Sequence, residues 1–279
     1  MSFGHIPPVP RLRQPARWEN PWVASPWNDT AEGDSTSTQR RSRPGRRSIG
    51  EGDRGLILDL DDTLYPRERF LRSGFAAVAR HVEAAHGIPA ELAYLLMSRT
   101  YATEQRGQEL QVMCDRAGLS RALVPSLLDV FRRHMPILWL NHGVSDALHM
   151  LRATGWRLGI LTNGLPSVQF RKVAALELMS LVDEVVYAED HVTGGKPAVA
   201  AFEAALRSLE LSADQCICVG DDLVRDVRGA RVLGMRTIRL SRPGVIAAPG
   251  ADADVVIDSF RQLPDAARLL LDTVTADVA

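Results

Sequence analysis

The sequence predicts an α/β fold, a doubly wound parallel sheet with a helical unit inserted after its first strand. Short apolar runs rich in β-branched residues recur along the chain, and patterns with helical periodicity lie between them. The segment before the helical pattern at 144–153 reads almost wholly as helix. Apolar runs without polar alternation are typical of strands covered on both faces, as in parallel sheets. Repeated alternation of strand and helix predicts one sheet with right-handed crossovers.

The apolar runs predict six strands, separated by helices. The strands are Gly55–Leu60, Arg157–Thr162, Glu184–Ala188 (the weakest pattern), Cys216–Gly220, Met235–Leu240 and Asp254–Asp258. Ser167 is predicted to cap a helix that runs to about Leu176. Pro197 suits the first turn of a further helix, whose apolar residues recur from Val199 to Leu209.

The inserted unit is predicted to cover an active site. Leu71, Phe75, Val78 and Val82 recur at helical spacing in it. Ligands of doubly wound sheets bind outside the carboxyl ends of the strands, so an insertion directly after the first strand lies where a cap would lie. The predicted domains are a catalytic core of residues 54–65 and 141–279, and a helical cap of residues 66–140.

Residues 1–53 differ from the rest in composition. Seven of the 16 prolines fall within the first 50 positions, and five arginines lie between Gln39 and Ser48. Such a segment buries too little apolar surface to offset its ordering entropy, which predicts a disordered Pro/Arg-rich tail. The alternatives are a docking segment that uses Trp18, Trp22 and Trp27, or a targeting segment.

Composition excludes several classes of function for this chain of 279 residues. The 33 basic and 34 acidic residues give a net charge of −1, without the basic bias of a protein that binds nucleic acid polymers. No apolar run is long enough to span a membrane. The 3 cysteines cannot form a disulfide framework, which favours a reducing, cytoplasmic location.

Polar clusters follow four apolar runs. They are Asp59-Leu60-Asp61-Asp62-Thr63, Thr162-Asn163-Gly164, Gly194-Gly195-Lys196-Pro197, and Gly220-Asp221-Asp222 followed by Asp226. Each cluster alone has a structural interpretation as a turn or a solvated loop, but the set in this order predicts one site. Closely spaced carboxylates repel each other when buried, and a divalent cation with hard oxygen ligands, Mg²⁺, resolves that repulsion.

These clusters resemble the haloacid dehalogenase (HAD) superfamily of hydrolases, and in particular its phosphatases with a helical cap. The family motif hhhDxDxT (h, apolar) matches Ile57–Thr63, and the motif hhhhT matches Gly159–Thr162. The lysine motif matches Lys196 and the acidic motif matches Gly220–Asp226. The resemblance covers about residues 54–273. It implies a Rossmann-like core with the strand order 5-4-1-2-3.

The resemblance also implies a role for each motif residue. Asp59 would attack phosphorus and form an aspartyl-phosphate, and Asp61 would be the general acid and base. Mg²⁺ would be held by Asp59, by the backbone carbonyl of Asp61 and by Asp221. The remaining candidates are Thr162 and Asn163 for binding the phosphoryl group, Lys196 for offsetting its charge, and Asp226 and Asp222 as supporting residues.

The predicted function is a Mg²⁺-dependent phosphatase that acts on a small phosphorylated metabolite. Asp61 argues against a dehalogenase, in which no leaving alkoxide needs a proton. The absence of lysine between residues 54 and 156 argues against a phosphonatase that uses a cap lysine. A sugar-phosphate mutase and a non-catalytic binding protein stay open. The substrate and the oligomeric state are not predicted, and Arg67, Arg69 and Arg72 are candidates either for contacting a second anionic group or for a solvated helix start.

Overall fold

A parallel sheet of six strands forms the centre of the molecule. The computed structural model describes residues 53–103, 105–241 and 253–272. Across the sheet the strands lie in the order β3-β2-β1-β4-β5-β6, and every neighbouring pair is parallel. The six strands are β1 (Gly55–Leu58), β2 (Arg157–Thr162), β3 (Glu184–Tyr187), β4 (Cys216–Gly220), β5 (Arg236–Leu240) and β6 (Val255–Ile257).

Helices connect the strands and fill the inserted segment. They are α1 (Arg67–His86), α2 (Ala90–Tyr101), α3 (Glu109–Arg116), α4 (Val124–Arg133), α5 (Val144–Ala153), α6 (Pro166–Ala175), α7 (Val199–Leu209), α8 (Gly229–Arg231) and α9 (Leu263–Asp272). A π-helical segment, Leu223–Arg228, runs directly into α8. None of the helices in the described part of the chain has the length and apolarity needed to cross a membrane.

The predicted fold class is confirmed, and the structure refines its details. The order 5-4-1-2-3 describes the first five strands, and β6 extends the sheet beyond β5. The first strand ends at Leu58 rather than Leu60, so Asp59 follows it directly. The predicted tail, with its three tryptophans, lies outside the described residues except for Asp53.

Two predicted helix starts are wrong. The helix α6 begins at Pro166, which occupies its first turn, so Ser167 lies inside the helix and its carbonyl accepts a hydrogen bond from Arg171. The helix α7 begins at Val199, because Pro197 follows a cis peptide bond with Lys196 and belongs to the preceding loop. The first helix thus starts one residue before its predicted cap, and the second starts two residues after its predicted first-turn proline.

The core lies on both faces of the sheet, as the apolar runs predicted. All four residues of β1 are buried, and successive side chains of a strand point to opposite faces. On one face, Ile57 and Cys218 pack with Phe202 and Leu206 of α7. Helices α5 and α9 pack against each other and against β2 and β5 respectively. Burial on both sides fixes the ends of the central strands, which carry the site.

Helices α1 to α4 lie in the segment predicted to be a cap. Phe70 and Phe75 of α1 pack around the ring of Phe131 from α4, and Gly74 leaves room for that ring. The two chain segments that join these helices to the sheet are hydrogen bonded to each other, since the amide of Asn141 donates to the carbonyl of Leu64 (2.9 Å). The helical unit is therefore anchored at both of its ends.

Candidate functional site

The predicted site residues other than Lys196 follow the carboxyl ends of three adjacent strands, and Lys196 lies in the loop between β3 and α7. Strand β1 is paired with β2 on one side and with β4 on the other, and Leu58 is in register with Ile160 and Val219. Asp59 lies one residue beyond Leu58, whereas Thr162 and Asp221 each lie two residues beyond their partners of Leu58. Parallel strands therefore bring these motifs to one edge of the sheet, where the strand order reverses.

The carboxylate of Asp59 is held at both oxygens. The Thr63 hydroxyl donates to Oδ2 (2.9 Å), and the Lys196 ammonium donates to Oδ1 (2.6 Å). The backbone amide of Asp59 donates to the carbonyl of Val219 and extends the strand ladder by one residue (2.9 Å). The side chain is 12% exposed. Asp59 is thus fixed in orientation and still reachable, as a nucleophile must be.

Lys196 lies between two carboxylates. Its Nζ is 2.6 Å from Asp59 Oδ1 and 2.7 Å from Asp226 Oδ1, and its side chain is 3% exposed. Burial alone would lower the pKa of Lys196, but the two negative carboxylates outweigh burial and raise the pKa above its ordinary value. The lysine therefore stays positively charged.

Asn163 holds the loop that carries Lys196. Its Oδ1 accepts from the backbone amide of Lys196 (2.8 Å), and its Nδ2 donates to the backbone carbonyl of the same residue (2.9 Å). Gly195, with φ of 60°, passes so close to the Asn163 side chain that a Cβ there would collide with it. The Asn163 side chain thus positions the loop of the lysine, and phosphoryl binding by Asn163 stays a prediction.

Asp61 lies apart from the other carboxylates and accepts hydrogen bonds from three side chains. Lys172 Nζ contacts both oxygens (2.9 and 2.7 Å), Gln169 Nε2 donates to Oδ2 (3.0 Å), and the Tyr65 hydroxyl donates to Oδ1. Burial raises the pKa of Asp61, but the charge of Lys172 and these hydrogen bonds outweigh it and lower the pKa to about 2. Asp61 is therefore ionised in the free site.

Asp59, Asp221 and Asp226 form a cluster of carboxylates with the donor atoms for a metal ion. Asp59, Asp221 and Asp226 each offer an oxygen, and these oxygens lie within 4.8 Å of one another. Gly220 makes this possible, because a Cβ at that position would collide with the Asp226 carboxylate. Burial raises the pKa of Asp226 to about 6, although Lys196 opposes that shift. An all-oxygen set of this kind fits Mg²⁺.

Asp222 has a local structural role. Its Oδ1 accepts from the backbone amides of Val224 (2.9 Å) and Arg225 (2.8 Å), and its Oδ2 accepts from Arg225 Nε (3.0 Å). It thereby caps the π-helical segment Leu223–Arg228. That segment carries Asp226, so Asp222 supports the site by fixing the chain next to it.

Two arginines proposed as candidates for substrate binding make other contacts. Arg69 donates to the backbone carbonyl of Trp139 (2.6 Å) and lies over the ring of that residue. Arg72 forms an exposed ion pair with Glu68 one turn earlier in α1 (2.6 Å). These contacts link Arg69 to the end of the inserted segment and place Arg72 on a helix surface.

Sequence reasoning missed four side chains of the site, namely Thr63, Tyr65, Gln169 and Lys172. Thr63 belongs to the first motif, but no role was assigned to it. Lys172 carried a stronger signal, because the chain has two lysines in all, at positions 172 and 196, and otherwise uses arginine for its basic residues. Both lysines lie in the site, where a compact ammonium group on a flexible stem is useful.

Comparisons with known proteins identify the family of the chain. Residues 54–234 match the family described as haloacid dehalogenase-like hydrolase. The chain is 26% identical over 221 residues to the glyceraldehyde 3-phosphate phosphatase of Methanocaldococcus jannaschii, which covers 76% of this chain and 96% of the relative. A magnesium-bound HAD hydrolase from Bacillus subtilis superposes with a TM-score of 0.55 at 18% identity, covering 80% of this chain and all (100%) of that one.

A 2-haloacid dehalogenase from Pseudomonas syringae is also similar, with a TM-score of 0.54 and 26% identity over 80% of this chain and 99% of that one. The chain belongs to the haloacid dehalogenase-like hydrolase family. Its curated relatives include glyceraldehyde 3-phosphate phosphatases.

Proposed function

We propose that the protein is a magnesium-dependent phosphatase that hydrolyses a small phosphomonoester through a phosphorylated Asp59. The observation that supports this most directly is the environment of Asp59. Thr63 and Lys196 fix its two oxygens, and the oxygens of Asp221 and Asp226 lie close by. A carboxylate oriented in this way, beside a site for a cation, suits nucleophilic attack on a phosphoryl group.

In the first half of the reaction, an oxygen of Asp59 attacks phosphorus and the bond to the leaving alkoxide breaks. The positively charged Lys196 offsets the negative charge that gathers between Asp59 and the phosphoryl group. Thr162, at the end of β2, and the backbone amides beside it bind phosphoryl oxygens. These groups are already in place before the substrate arrives, so little reorganisation is needed.

Asp61 transfers protons in both halves of the reaction. The phosphoryl group is negative and raises the pKa of Asp61 from about 2 when it binds, because like charges disfavour ionisation. The protonated Asp61 then gives its proton to the leaving alkoxide. In the second half, the ionised Asp61 takes a proton from a water molecule, which attacks phosphorus and breaks its bond to Asp59. The products are an alcohol and inorganic phosphate.

Mg²⁺ would be held by Asp59, Asp221 and the backbone carbonyl of Asp61, with Asp226 supporting its bound water. When bound, the ion neutralises charge on Asp59 and on the phosphoryl oxygens. The donor chemistry of the carboxylate cluster supports this assignment, since three carboxylates outnumber the single lysine that contacts them.

The substrate is a small metabolite, because the inserted helices follow the strand that carries Asp59 and limit access to it. The similarity to a glyceraldehyde 3-phosphate phosphatase favours short phosphorylated aldehydes or sugars. The proposed location is the cytoplasm. All three cysteines are free and buried, which suits a reducing compartment.

The test is release of inorganic phosphate from a panel of sugar phosphates, nucleotides, phosphoglycolate and p-nitrophenyl phosphate, with Mg²⁺ and with EDTA. We expect turnover of at least one alkyl phosphate that requires the metal. Mass spectrometry after acid quench should find phosphate on the peptide that contains Asp59. Phosphate moved within a sugar without net release would indicate a mutase, and no turnover of any compound would favour a binding protein.

A further inference from the structure

Helix α6 carries two polar side chains that face the same carboxylate. Gln169 and Lys172 are three residues apart, so they lie on one face of the helix, and both contact Asp61. They are 1% and 4% exposed, respectively. Burying an amide and an ammonium is costly unless both find partners. Helix α6 therefore buries these two polar side chains where Asp61 accepts hydrogen bonds from both.

Lys172 grips both oxygens of Asp61. Its Nζ lies 2.9 Å from Oδ1 and 2.7 Å from Oδ2, which restricts rotation of the carboxylate. The ammonium also lies 4.4 Å from the ring centre of Phe70, in α1. The ammonium group of Lys172 thus lies between Asp61, in the loop after β1, and Phe70 of α1. Lys172 is one of the two lysines among the 33 Lys and Arg residues of the chain.

Gln169 connects Asp61 to the end of β2. Its Nε2 is within hydrogen-bond distance of Asp61 Oδ2 (3.0 Å), of the Asn163 carbonyl (2.8 Å) and of the Thr162 hydroxyl. Thr162 is the residue assigned to the phosphoryl group, and Asp61 the residue assigned to the leaving oxygen. The side-chain nitrogen of Gln169 therefore contacts both Asp61 and Thr162. The distance between these two residues has to match the substrate.

We propose that Gln169 and Lys172 are positioning residues that fix the Asp61 carboxyl group relative to the phosphoryl-binding end of β2. This inference rests on the proposed function, in which Asp61 transfers protons to and from oxygen. Proton transfer needs a donor within hydrogen-bond reach of the leaving oxygen, and a misplacement on the order of 1 Å can cost about 10²-fold in rate. Lys172 acts through Asp61, and Gln169 acts through its contacts with Asp61 and Thr162.

The experiment compares leaving groups. An alkoxide departs slowly without a proton, whereas p-nitrophenolate needs little help. The kcat/KM values of p-nitrophenyl phosphate and of the fastest alkyl phosphate in the panel are measured for Asp61→Asn, Lys172→Met and Gln169→Met. Asp61→Asn should lose roughly 10²–10⁴-fold with the alkyl phosphate and clearly less with p-nitrophenyl phosphate. Lys172→Met and Gln169→Met should show the same asymmetry, at roughly 10-fold to 100-fold.

Arg171→Met is the matched control. It removes a cation from the neighbouring position of α6, where Arg171 donates to the carbonyl of Ser167 and not to Asp61. We expect its two kcat/KM values to stay within about twofold of wild type, as for surface substitutions. Circular dichroism and thermal melting show which variants are folded. Lys172→Met is the harsher change, and Gln169→Met keeps the test valid if Lys172→Met does not fold.

The outcomes separate the two proposals. Equal losses with both substrates in folded Gln169→Met and Lys172→Met, beside an asymmetric loss in Asp61→Asn, would overturn the positioning role alone. Unfolding of both variants would assign the pair to core stability and would also overturn it. A symmetric loss in Asp61→Asn itself would instead contradict the proton-transfer role on which the proposed function depends.

Discussion

Two lysines contact three carboxylates in this site, and the surroundings of the two lysines differ. On the side of β4, Lys196 serves both Asp59 and Asp226, and Asp221 adds a third carboxylate nearby. On the side of α6, Lys172 contacts Asp61 alone. The side of β4 thus has three carboxylates for one lysine, and the side of α6, called the balanced half below, has one carboxylate for one lysine.

This difference explains how one motif with closely spaced aspartates supports two kinds of chemistry. In the proposed mechanism, the carboxylate cluster that contains Asp59 would bind Mg²⁺ and then the phosphoryl group, because a cation relieves repulsion among buried carboxylates. The side chain of Asp61 is paired with Lys172 and would transfer protons instead of binding the metal ion. Asp59 and Asp61 are two residues apart in the chain, yet the lysine that contacts Asp59 comes from the loop before α7 and the lysine that contacts Asp61 comes from α6.

The largest effect is expected from Asp59→Asn. An amide nitrogen does not act as the nucleophile, so phosphate release should fall by roughly 10³-fold or more with every substrate. The free energy of unfolding should change little, because the amide can still accept from Thr63. The exposed residue Asp129, on α4, provides the control. Asp129→Asn should retain wild-type turnover, and a comparable loss there would point to damage unrelated to the nucleophile.

Removal of the metal should come next in size. EDTA should reduce turnover to background, Mg²⁺ should restore it, and Ca²⁺ should substitute poorly because it prefers more ligands at longer distances. The measurement is initial rate against the concentration of free metal ion after dialysis against chelator. Full activity in EDTA would contradict the proposal that the carboxylates on the side of β4 hold a metal ion. Because Asp61 is paired with Lys172, we expect no second metal ion to be required on the side of α6.

Gly220→Ala should sharpen the comparison by disturbing one half alone. The new methyl group would collide with the Asp226 carboxylate, and overpacking of this kind costs about 1–3 kcal/mol. We expect weaker activation by Mg²⁺, seen as a higher half-saturating concentration. Gly74→Ala is the matched control, since its methyl group would collide with the ring of Phe131 among the inserted helices. It should lower the melting temperature without changing the response to Mg²⁺.

The sequence predicted one half of the site better than the other. Asp59 and Asp221 follow apolar runs directly, and parallel strands bring such positions together by geometry. Gln169 and Lys172 lie inside a helix, where a glutamine and a lysine resemble solvated surface residues. Their burial depends on how α6 packs over Asp61, which is a tertiary contact across more than 100 residues of chain. The local sequence pattern of α6 does not predict that contact.

The smallest expected effect concerns acid stability and tests the balanced half. The pKa of Asp61 is lowered from 3.8 to about 2 in the folded protein, where burial raises it but Lys172 and the hydrogen bonds outweigh burial. A carboxyl group whose folded pKa is depressed binds protons more readily when unfolded. Its contribution to stability is therefore present above pH 4 and is lost as the pH falls towards 2. This contribution of Asp61 to the free energy of unfolding is about 2 kcal/mol.

Urea unfolding at several pH values between 5 and 2.5 (an interval chosen around the pKa values above) measures this contribution. The free energy of unfolding of the wild type should fall more steeply with acid than that of Asp61→Asn, which has no carboxyl group to protonate at this position. Lys172→Met should flatten the curve as well, because without the ammonium the pKa of Asp61 is no longer held down. Parallel curves for all three proteins would show that Lys172 leaves the ionisation of Asp61 unchanged on folding, and the charge balance on the side of α6 would then need another explanation.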